Sequence, residues 1–203
     1  MAVLVKGAMP VAADTRERMI DATVRALQWH GVAGMSFTEV LQDSGAARGA
    51  IYHHFPGGKA QLVAEAAARN GQDVRDFLRT LPADDPQVVV QAFLAGVRPV
   101  VQESAAGGGC AVAAVTVDAG LDGQGGEGST LRQIAANAFE SWIGQLGERF
   151  TAAGLGPAEA TGLATTLITL LEGAHVLCRA AGTIEPFDQA ARTAVELTGA
   201  RQR

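Results

Sequence analysis

Only two cysteines occur in 203 residues, Cys110 and Cys178, and neither stands in a Cys-x-x-Cys or Cys-His spacing. Each lies in an apolar run, which points to buried free thiols rather than a disulfide or a metal-ligand pair. No uninterrupted apolar run approaches the roughly 18 residues of a membrane-spanning helix. The apolar patch before Lys6 is too short for a signal-peptide core of about 7 to 15 residues. Residues 1–13 therefore read as a loose tail on a cytoplasmic protein. Positive charge is also scarce: the formal net charge is -5, which argues against indiscriminate nucleic-acid binding. There is no nucleophile elbow, no metal-ligand spacing, no phosphate-binding glycine loop and no internal repeat. β-branched alternation is rare, so sheet architectures are disfavoured.

What remains is a chain that is 48% hydrophobic, long enough to bury a core in one or two domains. Alanine, leucine, glutamate and arginine dominate, and the expectation is an all-α fold with a small head on a larger helical body. Charge divides the same way: residues 1–60 carry +1 and the remainder -6. A first helix runs from about Thr15 to His30, with Gly31 at its C-cap. Ser36 followed by Glu39 forms a capping box that opens a second helix, closed at about Ser44 by Gly45. A third is expected over Ala47–His54, and a fourth from Lys59 to about Leu81. A fifth, containing Pro99, should kink or break there. Glycines at 107–109 and 120–128 read as loops around a short apolar segment from Cys110 to Ala119, which periodicity alone would allow as a strand and which reads as a helix because nothing else in the chain offers it a sheet partner. A long helix from Thr130 to about Ala153 aligns Phe139, Trp142, Leu146 and Phe150 on one face. The next opens at Pro157 and closes at Gly182, and a last one follows Pro186.

The stretch "GAARGAIYHHFPGGKAQL", residues 45–62, carries the chemistry. Two short helices joined at a glycine form a helix-turn-helix, whose second helix enters the DNA major groove. At 100° per residue, Ile51 and Phe55 share an inward side while Tyr52 and His53 face outward. The histidine pair diverges around the helix and makes a poor metal-ligand set. His54 reads as a packing residue. Small residues at 46, 47, 49 and 50 allow the backbone close to base edges or phosphates. Arg48 can reach guanine or a phosphate. Tyr52 and His53 suit phosphate oxygens, and Lys59 stands beside the free amides that open the fourth helix. The DNA-facing set is Thr38, Ala47, Arg48, Gly49, Tyr52, His53 and Lys59.

The helix "RERMIDATVRAL", the glycine turn, and Gly49, Tyr52, His54 and Phe55 at their spacing resemble the DNA-binding domain of the tetracycline-repressor (TetR) family. The match covers about residues 14–65. The resemblance implies a homodimeric one-component transcription regulator, usually a repressor, that binds double-stranded operator DNA without a cofactor or metal. The head would be residues 14–60 and the ligand-binding and dimerisation body residues 61–203. Two features differ from the common family pattern. Ala47 stands where Ser or Thr usually caps the third helix, and the "FPGGKAQL" joint is one residue longer. "GGGCAVAAVTVDAG" with "LITLLEGAHVLCRAAG" is similar to a lincomycin-resistance-repressor-like subgroup that includes repressors of multidrug-resistance genes, some responsive to flavonoids.

The helix from Pro157 is apolar nearly all round, so it should be buried on more than one side. The resemblance implies a symmetric dimer contact there, assigned to Leu163, Leu167, Leu170, Leu171 and Ala174. Phe93, Val97, Phe139, Trp142 and His175 are the candidate lining of a pocket for a small apolar or aromatic effector. Two other readings stay open: a helical small-molecule-binding protein without DNA binding, and an enzyme recruiting Cys110, Asp118, Glu172 or His175.

Overall fold

In the computed structural model, which describes residues 14–118 and 127–200, the regular structure of the described residues is entirely α-helical. In chain order the helices are α1 (Thr15–Gly34), α2 (Phe37–Ser44), α3 (Ala50–His54), α4 (Gly58–Arg79), α5 (Pro86–Ala105), α6 (Ala111–Asp118), α7 (Glu127–Ala152), α8 (Pro157–Ala181) and α9 (Glu185–Ala200). The expected tail at 1–13 and most of the expected glycine loop at 120–128 lie outside the described residues; the last two positions of that loop already belong to α7. Among the described residues, 14–72, 110–118 and 127–138 form one compact unit, and 73–109 with 139–200 form another.

In the first unit, α1 buries Met19, Ile20, Thr23, Ala26 and Leu27 at helical spacing, against α2 and α6. Gly31 takes φ 68°, a conformation that L side chains rarely adopt, but one more helical turn follows to Gly34 before the chain extends at Met35. Ser36 Oγ accepts from the Glu39 amide at 3.2 Å, half of the expected capping box. The other half differs: the Glu39 carboxylate lies 2.8 Å from His30 Nε2. Helix α2 ends at Gly45, with φ 64° and ψ 22°. Arg18 Nε donates to the Ser44 carbonyl at 2.9 Å, placing a cation at the negative end of the helix.

Helix α3 is shorter than expected. It begins at Ala50, preceded by a turn in which the Ala50 amide reaches the Ala47 carbonyl at 2.8 Å. Ala47 has no side-chain acceptor for the amides a helix start leaves free, which accounts for the late start.

In the second unit, Asp85 Oδ1 accepts from the amides of Gln87 at 2.8 Å and Val88 at 3.3 Å, capping α5. This helix buries Val89, Val90, Phe93, Leu94, Val97 and Val101 and packs against α8 and α9. It runs through Pro99 without the expected break. Proline leaves the carbonyl four residues earlier without its amide partner, and that residue, Ala95, is exposed to water. Trp142, Leu146 and Phe150 of α7 are fully buried, each such burial favouring the fold by about 1.5–3 kcal/mol. Phe77 of α4 packs so closely on Gly96 that a β-carbon there would lie 2.2 Å from its Cζ.

Helix α8 is long and, averaged over 18 residues, apolar enough to cross a membrane, although polar residues interrupt its apolar runs every few positions. It buries Leu167, Ile168, Leu171, Ala174 and Cys178 in the unit. Burial within the chain is one-sided: Val176 is 66% and Leu177 58% exposed.

Candidate nucleic-acid interface

The first unit holds α3 by one side and leaves the other in water. Ile51 and Phe55 are buried, as the helical wheel requires. Tyr52 is 68% exposed and its ring meets the edge of Phe37 on α2, with centroids 6.2 Å apart and planes at 84°. That contact fixes the ring while its hydroxyl end stays accessible. His53 is exposed and His54 half-buried. The two imidazoles stay closer than the wheel implies, with centroids 4.9 Å apart. No group of three or more metal-binding side chains occurs among the described residues.

Thr38 is exposed on the first turn of α2, and Ala47, Arg48 and Gly49 are exposed in the turn before α3 rather than on the helix. Lys59 is placed differently from the expected phosphate contact. It is half-buried and its ammonium donates to the Met35 carbonyl at 2.9 Å. The other basic side chains of the head are similarly engaged. Arg16 pairs with Glu65, Arg25 with Asp43 at 2.7 Å, and Arg18 bonds the Ser44 carbonyl; Arg18, Arg25 and Arg48 are all exposed. The accessible groups of α3 and the turn before it are mainly neutral side chains and backbone, with one guanidinium, that of Arg48. Such a surface suits contacts made by shape and hydrogen bonding more than by bulk charge.

Sequence reasoning missed the network under α3. Arg16 of α1 places its guanidinium 5.1 Å from the Phe55 ring centroid. Its partner Glu65 also accepts from Gln61 Nε2 at 3.0 Å, and Gln61 Oε1 accepts from the Gly57 amide at 2.8 Å. The i,i+4 spacing of Gln61 and Glu65 was a visible signal; their union with Arg16, 49 positions from Glu65, was not.

In the second unit, Phe93, Val97, Trp142 and His175 are buried and Phe139 is half-buried, with Phe139 edge-on to Trp142 at 5.1 Å. His175 Nδ1 and Ser104 Oγ are 2.7 Å apart. Burial lowers the His175 pKa to about 4, so the ring is neutral at physiological pH. Two clefts open on this unit: one of about 430 Å³ between α5 and α9, and one of about 800 Å³ beside α8 and α9 that Leu163 and Leu167 line. None of the five expected pocket residues lines either. Of the expected interface residues, Leu167, Leu171 and Ala174 are buried within the chain itself, and Leu163 and Leu170 are half-buried. For the residues an enzyme would recruit, Cys110 Sγ accepts from the Ala113 amide at 3.4 Å and His175 is paired with Ser104.

Comparison with known proteins agrees with this arrangement. Residues 19–66 match the family described as bacterial regulatory proteins, tetR family. Residues 86–193 match the C-terminal domain of LmrA/YxaF-like transcriptional regulators. An uncharacterized HTH-type transcriptional regulator of Mycobacterium tuberculosis is 32% identical over 173 residues, covering 85% of this chain and 88% of its own. The HTH-type transcriptional regulator LmrA of Bacillus subtilis is 27% identical over 180 residues, covering 86% and 91%. A TetR transcriptional regulator from Legionella pneumophila shares the fold, with a TM-score of 0.77 at 20% identity over 92% of this chain and 98% of that one. These families and relatives are regulators and not enzymes. The chain belongs to the TetR family of bacterial transcriptional regulators, with a C-terminal domain of the LmrA/YxaF-like kind.

Proposed function

We propose that the protein is a repressor that binds a palindromic operator as a homodimer and leaves it when a small apolar or aromatic effector binds. Residues 14–60 serve as the DNA-reading head and residues 61–203 as the body, in the cytoplasm and without a membrane partner. The observation that carries the reading is the two-sidedness of α3. Ile51 and Phe55 are sunk in the core while Tyr52 and His53 stand in water, on a short helix that follows α2 through the left-handed Gly45 and the turn before Ala50. A helix so held presents its outer side to a major groove. Thr38, Ala47, Arg48, Gly49, Tyr52 and His53 make the contacts, and Lys59 supports the head through Met35.

The exposed Val176 and Leu177 of α8 support a second copy as partner, since apolar side chains side by side on a helix gain by being covered. A two-fold contact through α8 gives two α3 helices and a palindromic site. Phe93, Val97, Phe139, Trp142 and His175 line neither cleft and pack together in the second unit, so the effector enters by parting them, with Trp142 and His175 as its polar handles. Release follows from linkage: an effector that prefers a conformation unsuited to the two half-sites weakens DNA binding by the same coupling free energy. Helix α4, whose residues belong to both compact units, is the lever.

The test is binding to the promoter DNA that flanks the protein's own gene, at two salt concentrations, with Tyr52→Ala and Arg48→Ala in parallel. Specific, salt-dependent binding weakened in both variants is expected. Failure to select any duplex from a genomic library would overturn the reading.

A further inference from the structure

We infer that Glu65 is a positioning residue for DNA recognition: it holds the exit of α3 through Gln61 and Arg16 without touching DNA. The inference rests on the DNA-binding reading of the head. One Glu65 oxygen takes the Arg16 guanidinium and the other takes Gln61 Nε2 at 3.0 Å. Gln61 then holds the Gly57 amide at 2.8 Å. Arg16 lies against the ring of Phe55, the residue that ends α3. A single carboxylate thus ties the start of α1, the aromatic anchor of α3 and the turn that leads into α4.

The fit at the turn is close. A β-carbon on Gly57 would lie 3.0 Å from Gln61 Cβ and 3.1 Å from its Oε1. Gln61 has one amide group with both ends engaged: the oxygen accepts from Gly57 and the nitrogen donates to Glu65. Without Glu65 the nitrogen end loses its acceptor, and the Gly57 N–H alone is left to select between two ends of nearly the same size. A flipped amide presents a donor to the Gly57 N–H, and the turn loses its hold. Tyr52 and His53 lie within one helical turn of Phe55, so freedom at the exit becomes misplacement of the outer face.

The ion pair is part-exposed, with side chains 38% and 29% accessible. Pairs of that kind add little to stability, which separates positioning from folding. The experiment uses the full chain, with Glu65→Ala, Gln61→Ala, the double variant and Tyr52→Ala as a contact control. Each is tested on the duplex that wild type selects from a random library. Both single variants should bind about tenfold more weakly, and the double variant no more weakly than the worse single one, because they break one chain of contacts. The salt slope should match wild type, since no phosphate contact is lost. Thermal midpoints should stay within about 2 °C of wild type, and Gly57 amide exchange should quicken in both single variants. Wild-type affinity in either variant, additive losses, unchanged Gly57 exchange, or affinity that falls only in step with melting temperature would each overturn the inference. If wild type selects no duplex, the DNA-binding reading falls and takes the inference with it.

Discussion

His175 on α8 and Ser104 on α5 meet in the core of the second unit, Nδ1 to Oγ at 2.7 Å, across 71 positions of sequence. The Ser104 hydroxyl also lies 3.3 Å from the Val100 carbonyl. A hydroxyl has one hydrogen: when it goes to Val100, His175 carries its proton on Nδ1 and donates to Ser104. The histidine is 8% exposed, and desolvation lowers its pKa from 6.5 to about 4.

This pair sets a pH dependence of stability. Between about pH 4 and 6.5 the unfolded chain takes up a proton at His175 that the folded chain refuses. The associated stability is complete above about 6.5 and is lost as pH falls toward 4, amounting to about 3 kcal/mol. Denaturant unfolding at pH 7.5 and 4.5 should show wild type losing about 2 to 3 kcal/mol more than His175→Gln. Equal losses in the two proteins would mean that the histidine is solvated.

Two glycines should respond to alanine for different reasons. At Gly45, φ is +64° and nothing lies within 4 Å of a built β-carbon, so Gly45→Ala has only the backbone cost, about 1–2 kcal/mol. At Gly96 the added methyl meets the Phe77 ring. Overpacking there costs about 1–3 kcal/mol, against a gain of about 1 kcal/mol in helix propensity. Gly96→Ala should therefore range from neutral to about 2 kcal/mol destabilising, with the Phe77 ring displaced, and an unmoved ring in the variant's structure would refute the packing argument.

Lys59 and Arg48 should separate in salt dependence. The Lys59 ammonium is engaged by the Met35 carbonyl, whereas Arg48 is exposed in the turn before α3. Losing one phosphate contact reduces the slope of log affinity against log salt by about 0.9. Arg48→Ala should show that reduction. Lys59→Ala should keep the slope and lower the stability of the head by about 1 kcal/mol. A reduced slope in Lys59→Ala would return the residue to the DNA contacts.

Local rules account for what the sequence disclosed. The Ser36 cap, the left-handed glycines at 45 and 182, and the inward Ile51 and Phe55 depend on neighbours within a few residues. The short segment from Cys110 could have been a strand by periodicity, and it is helical. Lys59 and α8 were harder to read because their surroundings come from distant sequence. Lys59 stood correctly at the start of α4, but its partner is the end of α1, 24 residues away. Hydrophobicity marked α8 as buried, yet it could not say which apolar residues the chain itself covers. For that reason the interface residues chosen from sequence include Leu167, Leu171 and Ala174, which are buried in the chain's own core.

That distinction gives the dimer its test. Val176 and Leu177 are exposed in the isolated chain, so replacing them removes nothing from its core, whereas Leu167 is fully buried and its truncation leaves a cavity. Leu167→Ala should lose about 2–5 kcal/mol of stability. Val176→Arg with Leu177→Arg should leave the core packed but place two charges where a second copy of α8 would bring two more, and like charges at an apolar contact oppose association. Sedimentation velocity should then show wild type as a dimer and the double variant as a folded monomer with unchanged helical content. Operator binding should weaken as dimerisation is lost, because a monomer brings a single α3 to one half-site. A double variant that remains dimeric would place the two-fold contact away from this part of α8, with Leu197 of α9, 63% exposed, the next side chain to replace.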